Sequence, residues 1–291
     1  LRLFRSSRSA GAKLAFKGKE YEVEEASLER MKGLDLLLGA ADNDVAKKFL
    51  PDAAKLGVTV VDNSSAFRLD PEVPLVIPEV SPEDVKWSKG LIANPNCATI
   101  IGLTAIAPLH RKAKVKRLIA STYQAVSGAG KGGIDELEAE VKAPAGTPAP
   151  CKVFPYPIAY NLIPQIGGFN DEAYTSEDMK MQIEGRKMLH DDNLLVSCTC
   201  VRVPIIRSHS EALTIEFENE ISPEEARELL KDAPGVRLWD EPEEKHYPMP
   251  LLTSDQALVY VGRIRRDLSA PKERSNRSLV LFYCAGQVRQ G

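Results

Sequence analysis

The chain has 291 residues, 43% of them hydrophobic and 27% charged, which is the profile of a soluble globular protein of one large or two ordinary domains and excludes a disordered chain. Lys plus Arg is 38 and Asp plus Glu is 41, a net charge of −3, so nothing marks a nucleic-acid or anionic-membrane partner. The longest apolar run, residues 98–109, is shorter than the roughly 20 residues needed to cross a bilayer, and His110, Arg111 and Lys112 follow it directly.

The first elements in chain order are strand-like pieces at residues 1–5, 13–17 and 21–25. Leu36–Gly39 is a continuous apolar run that suits a buried parallel strand. Residues 43–56 carry helical spacing through Val45, Phe49, Ala53 and Leu56, with Pro51 expected to weaken or split the helix. Gly57 stops it, and residues 58–61 form the next strand. Strand, helix, strand is a βαβ unit with a right-handed parallel crossover. Residues 74–79 and Leu91–Ala93 read as extended.

Val115–Gln124 is a strong strand. A glycine-rich turn is expected over residues 128–133 and an amphipathic helix over 133–142. Residues 143–157 hold Pro144, Pro148, Pro150, Pro155 and Pro157 and read as a loop. Residues 175–189 form a helix opened by a capping box of Thr175 and Asp178. Strands follow at 194–206 and 212–218, a helix at 222–232, and strands at 256–264 and 278–284. The composite is an α/β nucleotide-type domain followed by an α+β domain with an open, partly antiparallel sheet. There is no internal repeat.

The cysteines are Cys97, Cys151, Cys198, Cys200 and Cys284, an odd number without a signal peptide, so free thiols in a reducing compartment are expected. No cysteine or histidine spacing suits zinc, and no metal site is expected. Cys97 lies in NPNCATI at a helix N-terminus, where unpaired amides favour a thiolate nucleophile; the plain alternative is a buried core cysteine. Of the five thiols it is expected to alkylate fastest. In STYQAVSGAGKGG, Gln124 ends a strand and could orient a carbonyl or a water, and the glycines let backbone approach a ligand; a flexible hairpin competes. In RVPIIRSHSE, Arg202 is suited to a carboxylate and His209 to acid/base work, against a surface loop histidine. Glu177 and Lys180 share a helix face and read either as a ligand grip or as a solvated ion pair. Arg68, in DNSSAFRL, is an anion binder or a solvated loop arginine.

In order along almost the whole chain, RSSRSAG, DNSSAFR, NPNCATI, TYQAVSGAG, VFPYPIAYNLIPQI, YTSEDMKM and RVPIIRSHSE resemble the aspartate-β-semialdehyde dehydrogenase family. The resemblance implies a Rossmann-like NADP-binding domain plus an α+β catalytic and dimerisation domain with a mixed sheet. It divides the chain into 1–96 with 272–291, and 97–271. It implies that Cys97 is the nucleophile of an acyl thioester, His209 the acid/base and Gln124 the group that positions the acyl moiety. Arg202 would bind the substrate carboxylate and Glu177 its ammonium, while Arg68, Asn96 and Lys180 would hold the phosphate. Arg8 and Ser9 fall where the family meets the 2′-phosphate of NADP, Ser127 and Gly128 where it meets the nicotinamide side, and Gln287 is a further cofactor-binding residue.

The reaction so implied is NADPH-dependent reductive dephosphorylation of aspartyl phosphate to the semialdehyde, in amino-acid biosynthesis, by a homodimer. The family's opening strand and glycine loop have no counterpart here, nor has its final long helix, and Ala40-Ala41-Asp42-Asn43 replaces a glycine-rich turn. Weak cofactor binding is therefore expected of this chain, about 100-fold below a version with the loop restored. An N-acetyl-glutamyl-phosphate reductase and an inactive truncated paralogue are the alternatives. The cytoplasm is the expected compartment, or a plastid if a transit peptide preceded residue 1.

Overall fold

The structure is a computed structural model that describes residues 1–144, 147 and 151–287. Pro148 and Pro150 of the expected loop lie outside the described residues. The chain divides into two compact units, residues 1–76 with 83–94 and residues 77–82 with 95–291.

The first unit begins with β1 (Leu3–Arg5), a 3-10 turn at Ser7–Ser9, β2 (Lys13–Phe16) and β3 (Lys19–Glu25). Then come the one-turn α1 (Leu28–Met31), β4 (Leu36–Gly39), α2 (Asn43–Lys55), β5 (Thr59–Asp62) and β6 (Leu91–Ala93). β3 pairs parallel with β1 and antiparallel with β2. β4, β5 and β6 form a parallel sheet in that order, so the expected βαβ unit is β4-α2-β5. Pro51 does not split α2. Proline removes one helical N–H, and the buried stripe of Ala46, Leu50 and Ala53 holds the helix through that loss. The two three-stranded sheets are separate, and the parallel one with its βαβ unit gives the Rossmann-like layout. A cleft of about 760 Å³ is lined by Phe4 and Arg5 of β1, Leu38 and Gly39 of β4, and Val45 and Phe49 of α2.

The second unit holds α3 (Cys97–Ala113), β7 (Val115–Gln124), α4 (Gly130–Lys142), α5 (Ser176–Leu189), β8 (Leu195–Arg202), β9 (His209–Phe217), α6 (Pro223–Lys231), β10 (Val236–Leu238), α7 (Pro250–Thr253), β11 (Val259–Arg266) and β12 (Ser278–Ala285). Among the described residues its strands form one mixed sheet, ordered β10-β11-β12-β9-β7-β8, with β10/β11 and β7/β8 parallel and the other pairs antiparallel. Residues 272–291 were expected to return to the first domain. Instead β12 is hydrogen-bonded between β11 and β9, because its alternating apolar residues Leu279, Leu281 and Tyr283 fill the core of this sheet.

β7 alternates strictly: Leu118, Ala120, Thr122 and Gln124 are buried, while Ile119, Ser121 and Tyr123 are exposed. The inner face of the sheet is covered by α3, in which 12 of 17 residues are buried, together with α5 and α6. The expected glycine turn is shorter than residues 128–133, since α4 already starts at Gly130. A Cβ at Gly133 would lie 2.5 Å from the Val126 carbonyl, so only glycine permits this entry into the helix. Glu136 of α4 accepts the backbone N–H groups of Lys152, Val153 and Phe154 at 2.8–3.1 Å and pins the proline-rich segment beside the sheet.

The depth at which α3 sits on the sheet depends on Gly102. A Cβ there would meet Tyr283 Oη at 2.9 Å and Met181 Cε at 3.0 Å. Gly102→Ala is therefore expected to destabilise the protein by about 1–2 kcal/mol despite alanine's better helix propensity. Chemical denaturation measures this, and an unchanged or raised stability would show that α3 has slack at this point.

Candidate active site

Strand register assembles the site. Gln124 and Arg202 are register partners at the ends of the parallel strands β7 and β8. His209 opens the antiparallel β9, so its side chain arrives at the same end of the sheet. Above them, Asn96 caps α3: its Oδ1 accepts from the N–H of Ala98 and Thr99 at 3.1 and 3.2 Å. Cys97 is the first residue of that helix.

Glu177, in the first turn of α5, ties these elements together. Its Oε1 accepts from Asn96 Nδ2 at 3.1 Å and Gln124 Nε2 at 3.0 Å, and its Oε2 from Lys180 Nζ at 2.8 Å. Burial alone would push its carboxyl up, but Lys180 and these donors outweigh that and hold it below the usual carboxylate range. The pair with Lys180 is not a solvated surface bridge, since the Glu177 side chain is only 8% exposed.

The helix start was expected to favour a Cys97 thiolate. The structure reverses the sign. Desolvation and the nearby Glu177 carboxylate push the thiol up to about 12, and the Ala98 N–H, Lys180 and Arg202 only partly offset them. The expectation that Cys97 alkylates fastest falls with it: Cys97 is half-buried and protonated, whereas Cys151 is exposed. A helix N-terminus contributes about 1 kcal/mol, less than the burial of a charge next to a carboxylate.

Arg202 donates from Nη1 to the Ala125 carbonyl at 2.7 Å, and its guanidinium lies 6.0 Å from the centre of the Phe154 ring. Burial lowers its pKa, opposed by Glu177 and Cys97. His209 is fully buried, and its Nδ1 accepts the Ala125 N–H at 3.0 Å. Burial first, and Arg202 second, lower its pKa to about 3. The other histidines lie elsewhere: His110 accepts from the Val115 N–H, His190 ends α5, and His246 sits exposed beside Glu241.

The remaining expected residues fall into two groups. Gln287 donates to the Ser127 hydroxyl and accepts from the Ser208 N–H at 2.9 Å, so Ser127, Gln287 and the His209 strand come together. Gly128 lies against Arg202 and His209. Arg68, Arg8 and Ser9 belong to the first unit. Arg68 is buried and donates to the carbonyls of Asn94 and Asn63 at 2.9 and 3.0 Å. Ser9 lines the cleft of about 760 Å³, and Arg8 is exposed on the same turn.

Three residues escaped the sequence reading. Glu184 is buried and accepts the Asn96 N–H at 2.7 Å, anchoring the segment before Cys97. It lies seven residues after Glu177, two helical turns along one face, a spacing that could have flagged it. Glu211, two residues after His209 on a strand, shares its face; it is fully buried, accepts from Tyr283 Oη, and burial raises its pKa to about 8. Tyr283 had no local signal, because only the β9/β12 register places it there. Among the described residues a group of metal-capable atoms, Glu241, Glu244 and His246, lies exposed on the surface. No helix among the described residues is long and apolar enough to cross a membrane.

Glu177→Gln removes the carboxylate that opposes the thiolate. Cys97 is then expected to label with iodoacetamide roughly three- to tenfold faster at a fixed pH. In the unchanged protein Cys151 labels first. Mass spectrometry of timed pulses reads both, and an unaltered Cys97 rate would mean that Glu177 does not govern the thiol.

Two family descriptions match the chain: "Semialdehyde dehydrogenase, NAD binding domain" over residues 1–88 and "Semialdehyde dehydrogenase, dimerisation domain" over residues 106–289. The aspartate-semialdehyde dehydrogenase of Aquifex aeolicus is 51% identical over 270 residues, covering 91% of this chain and 79% of that protein. That of Campylobacter jejuni is 46% identical over 296 residues, covering 98% and 84%. The solved aspartate semialdehyde dehydrogenase II of Vibrio cholerae, complexed with ASA, superposes with a TM-score of 0.93 at 37% identity, covering 100% of this chain and 85% of that one. The Candida albicans enzyme, solved with NADP, shares the fold with a TM-score of 0.73 at 23% identity, covering 99% and 86%. The chain belongs to the aspartate-semialdehyde dehydrogenase family, whose members are oxidoreductases.

Proposed function

We propose that the chain catalyses the reductive dephosphorylation of L-aspartyl 4-phosphate to L-aspartate 4-semialdehyde through a thioester on Cys97, with NADPH as reductant, in amino-acid biosynthesis. The observation that carries this reading is the convergence of Gln124, Arg202 and His209 at one end of the sheet, beneath the helix start that bears Cys97. That is a nucleophile surrounded by donors for an acyl oxygen, a carboxylate and a phosphate.

The roles follow from the chemistry of each group. Cys97 Sγ attacks the acyl carbon, and Gln124 orients the acyl group. Arg202 takes the α-carboxylate, which a guanidinium binds with two parallel hydrogen bonds. Substrate binding exchanges the Glu177–Lys180 pair: the substrate ammonium meets Glu177, and Lys180 turns to the phosphate with Asn96. Phosphate leaves against these donors.

The cofactor is assigned on similar grounds. Arg8 and Ser9 offer a cation and a hydroxyl, which suit a 2′-phosphate and hence NADP over NAD. Gly128 lies against Arg202 and His209, and Ser127 and Gln287 are joined on the same edge, where the nicotinamide end would be met. NADPH, when bound, supplies the hydride that reduces the thioester. Asp42 works against tight binding. It is the residue before α2, its side chain makes no capping bond, and it lines the cleft that Ser9 also lines.

The outer face of the sheet supports a homodimer. Ile119, Tyr123 and Leu195 are 43%, 38% and 47% exposed there, an apolar surface that a second copy would cover. No disulfide forms among the described residues, not even between Cys198 and Cys200 with sulfurs 3.6 Å apart, which suits a reducing compartment.

Two measurements test this reading. Arg202→Lys keeps the charge and loses the paired geometry, so kcat/KM for the semialdehyde is expected to fall by roughly 2–3 kcal/mol. An unchanged value removes Arg202 from the substrate site. Ile119→Lys places a charge in the middle of the outer face and is expected to shift the mass in light scattering from two chains toward one. A persistent dimer would place the interface elsewhere.

A further inference from the structure

We propose that Glu136 is a positioning residue for the substrate's carboxylate: together with Glu140 it holds residues 152–159 so that the Phe154 ring braces the Arg202 guanidinium. The proposal rests on the reading that Arg202 binds that carboxylate.

The proline-rich segment cannot hold itself. Pro155 and Pro157 have no N–H, and among the described residues no strand or helix runs between α4 and α5. Its backbone donors go to two side chains instead. Glu136 Oε2 accepts the N–H groups of Lys152 and Val153 at 2.9 and 2.8 Å, and its Oε1 that of Phe154 at 3.1 Å. Glu140 Oε2 accepts those of Ile158 and Ala159 at 2.8 and 2.7 Å. The two glutamates stand one turn apart on one face of α4. Hydrogen bonds to a carboxylate are stronger than those between neutral groups, and Glu136 makes its own in a buried position.

What this clamp fixes is Phe154. Its ring packs with Val126, Leu137, Ile158 and Ile163. The helix that holds its N–H through Glu136 also meets its ring through Gly133, where a Cβ would lie 3.1 Å from Phe154 Cζ. Main chain and ring tip are thus both set by α4.

The same stretch of chain holds Arg202 twice. Arg202 and Ile163 exchange backbone hydrogen bonds, Arg202 N–H to the Ile163 carbonyl at 2.9 Å and Ile163 N–H to the Arg202 carbonyl at 3.0 Å. The Phe154 ring centre lies 6.0 Å from the guanidinium carbon. Arg202 Nη1 donates to the Ala125 carbonyl at 2.7 Å, and a Cβ at Gly128 would lie 2.8 Å from the same nitrogen. Two parallel hydrogen bonds to a carboxylate need the guanidinium held in one plane, and a long side chain reaches that plane only at a cost in rotamer freedom. A guanidinium braced by the ring meets that cost before the substrate arrives. Loosening the brace weakens substrate binding and leaves the chemistry at Cys97 in place, so the effect falls on KM.

Steady-state kinetics with the semialdehyde, NADP and inorganic phosphate test this. Glu136→Gln keeps the volume but turns an amide NH2 toward backbone N–H groups that need an acceptor. It is expected to raise KM for the semialdehyde roughly five- to tenfold, with kcat within about threefold and KM for phosphate within about twofold of the parent. Phe154→Leu keeps the clamp and loses the flat ring, and the same rise is expected. The double variant is expected to be no worse than either single one, because both act on Arg202 through one contact. A fall in kcat with KM unchanged, an equal rise in both KM values, or multiplied effects in the double variant would make the clamp merely structural and overturn the proposal. If Glu136→Gln does not fold, Phe154→Leu decides alone, and an unchanged KM for the semialdehyde overturns it. Arg202→Lys separates the two readings. If it raises KM while Glu136→Gln and Phe154→Leu do not, the positioning role alone fails; if it leaves KM unchanged, the carboxylate reading fails and the proposal with it.

Discussion

The Glu177 carboxylate is the contact on which the second unit's site depends. Three donors from three elements meet it: Asn96 before α3, Gln124 at the end of β7, and Lys180 one turn along α5. A buried carboxylate with fewer partners would protonate, and the three elements would lose their common anchor. Glu184 repeats the device two turns later by holding the Asn96 N–H. The segment that presents Cys97 is thus clamped from one helix by two carboxylates.

Burial sets the direction of the charge state at three further groups: it opposes a thiolate at Cys97, with Glu177 adding to it, an imidazolium at His209, with Arg202 adding to it, and a carboxylate at Glu211. Each group is held in its neutral form by what lies beside it.

Architecture follows the same logic at larger scale. α3 is buried along most of its length and cannot be understood as a surface helix with one apolar stripe. Its neighbours are the inner faces of β7, β9 and β12, and Gly102 sets how close it comes. The polar cluster sits where that apolar core ends, at the tips of the strands. Core burial supplies the rigidity, and the strand tips supply the functional groups.

Local signals in the sequence determined much of this protein. The capping box at Thr175/Asp178, the strand Val115–Gln124 and the helix after NPNCATI are all present as read, because each depends on residues within one or two turns. The motif order along the chain likewise identified the family. Only tertiary structure decided the rest. Pro51 stays inside α2 because buried neighbours outweigh its lost hydrogen bond, and β12 joins the second unit because cross-strand packing, not sequence proximity, chooses its partners. The sign of the Cys97 shift is the plainest case. The helix start that favours the thiolate is visible in the seven letters NPNCATI, but the opposing carboxylate comes from Glu177, 80 residues on, and the burial comes from the whole unit. Desolvation and charge act through space, and no spacing rule encodes them.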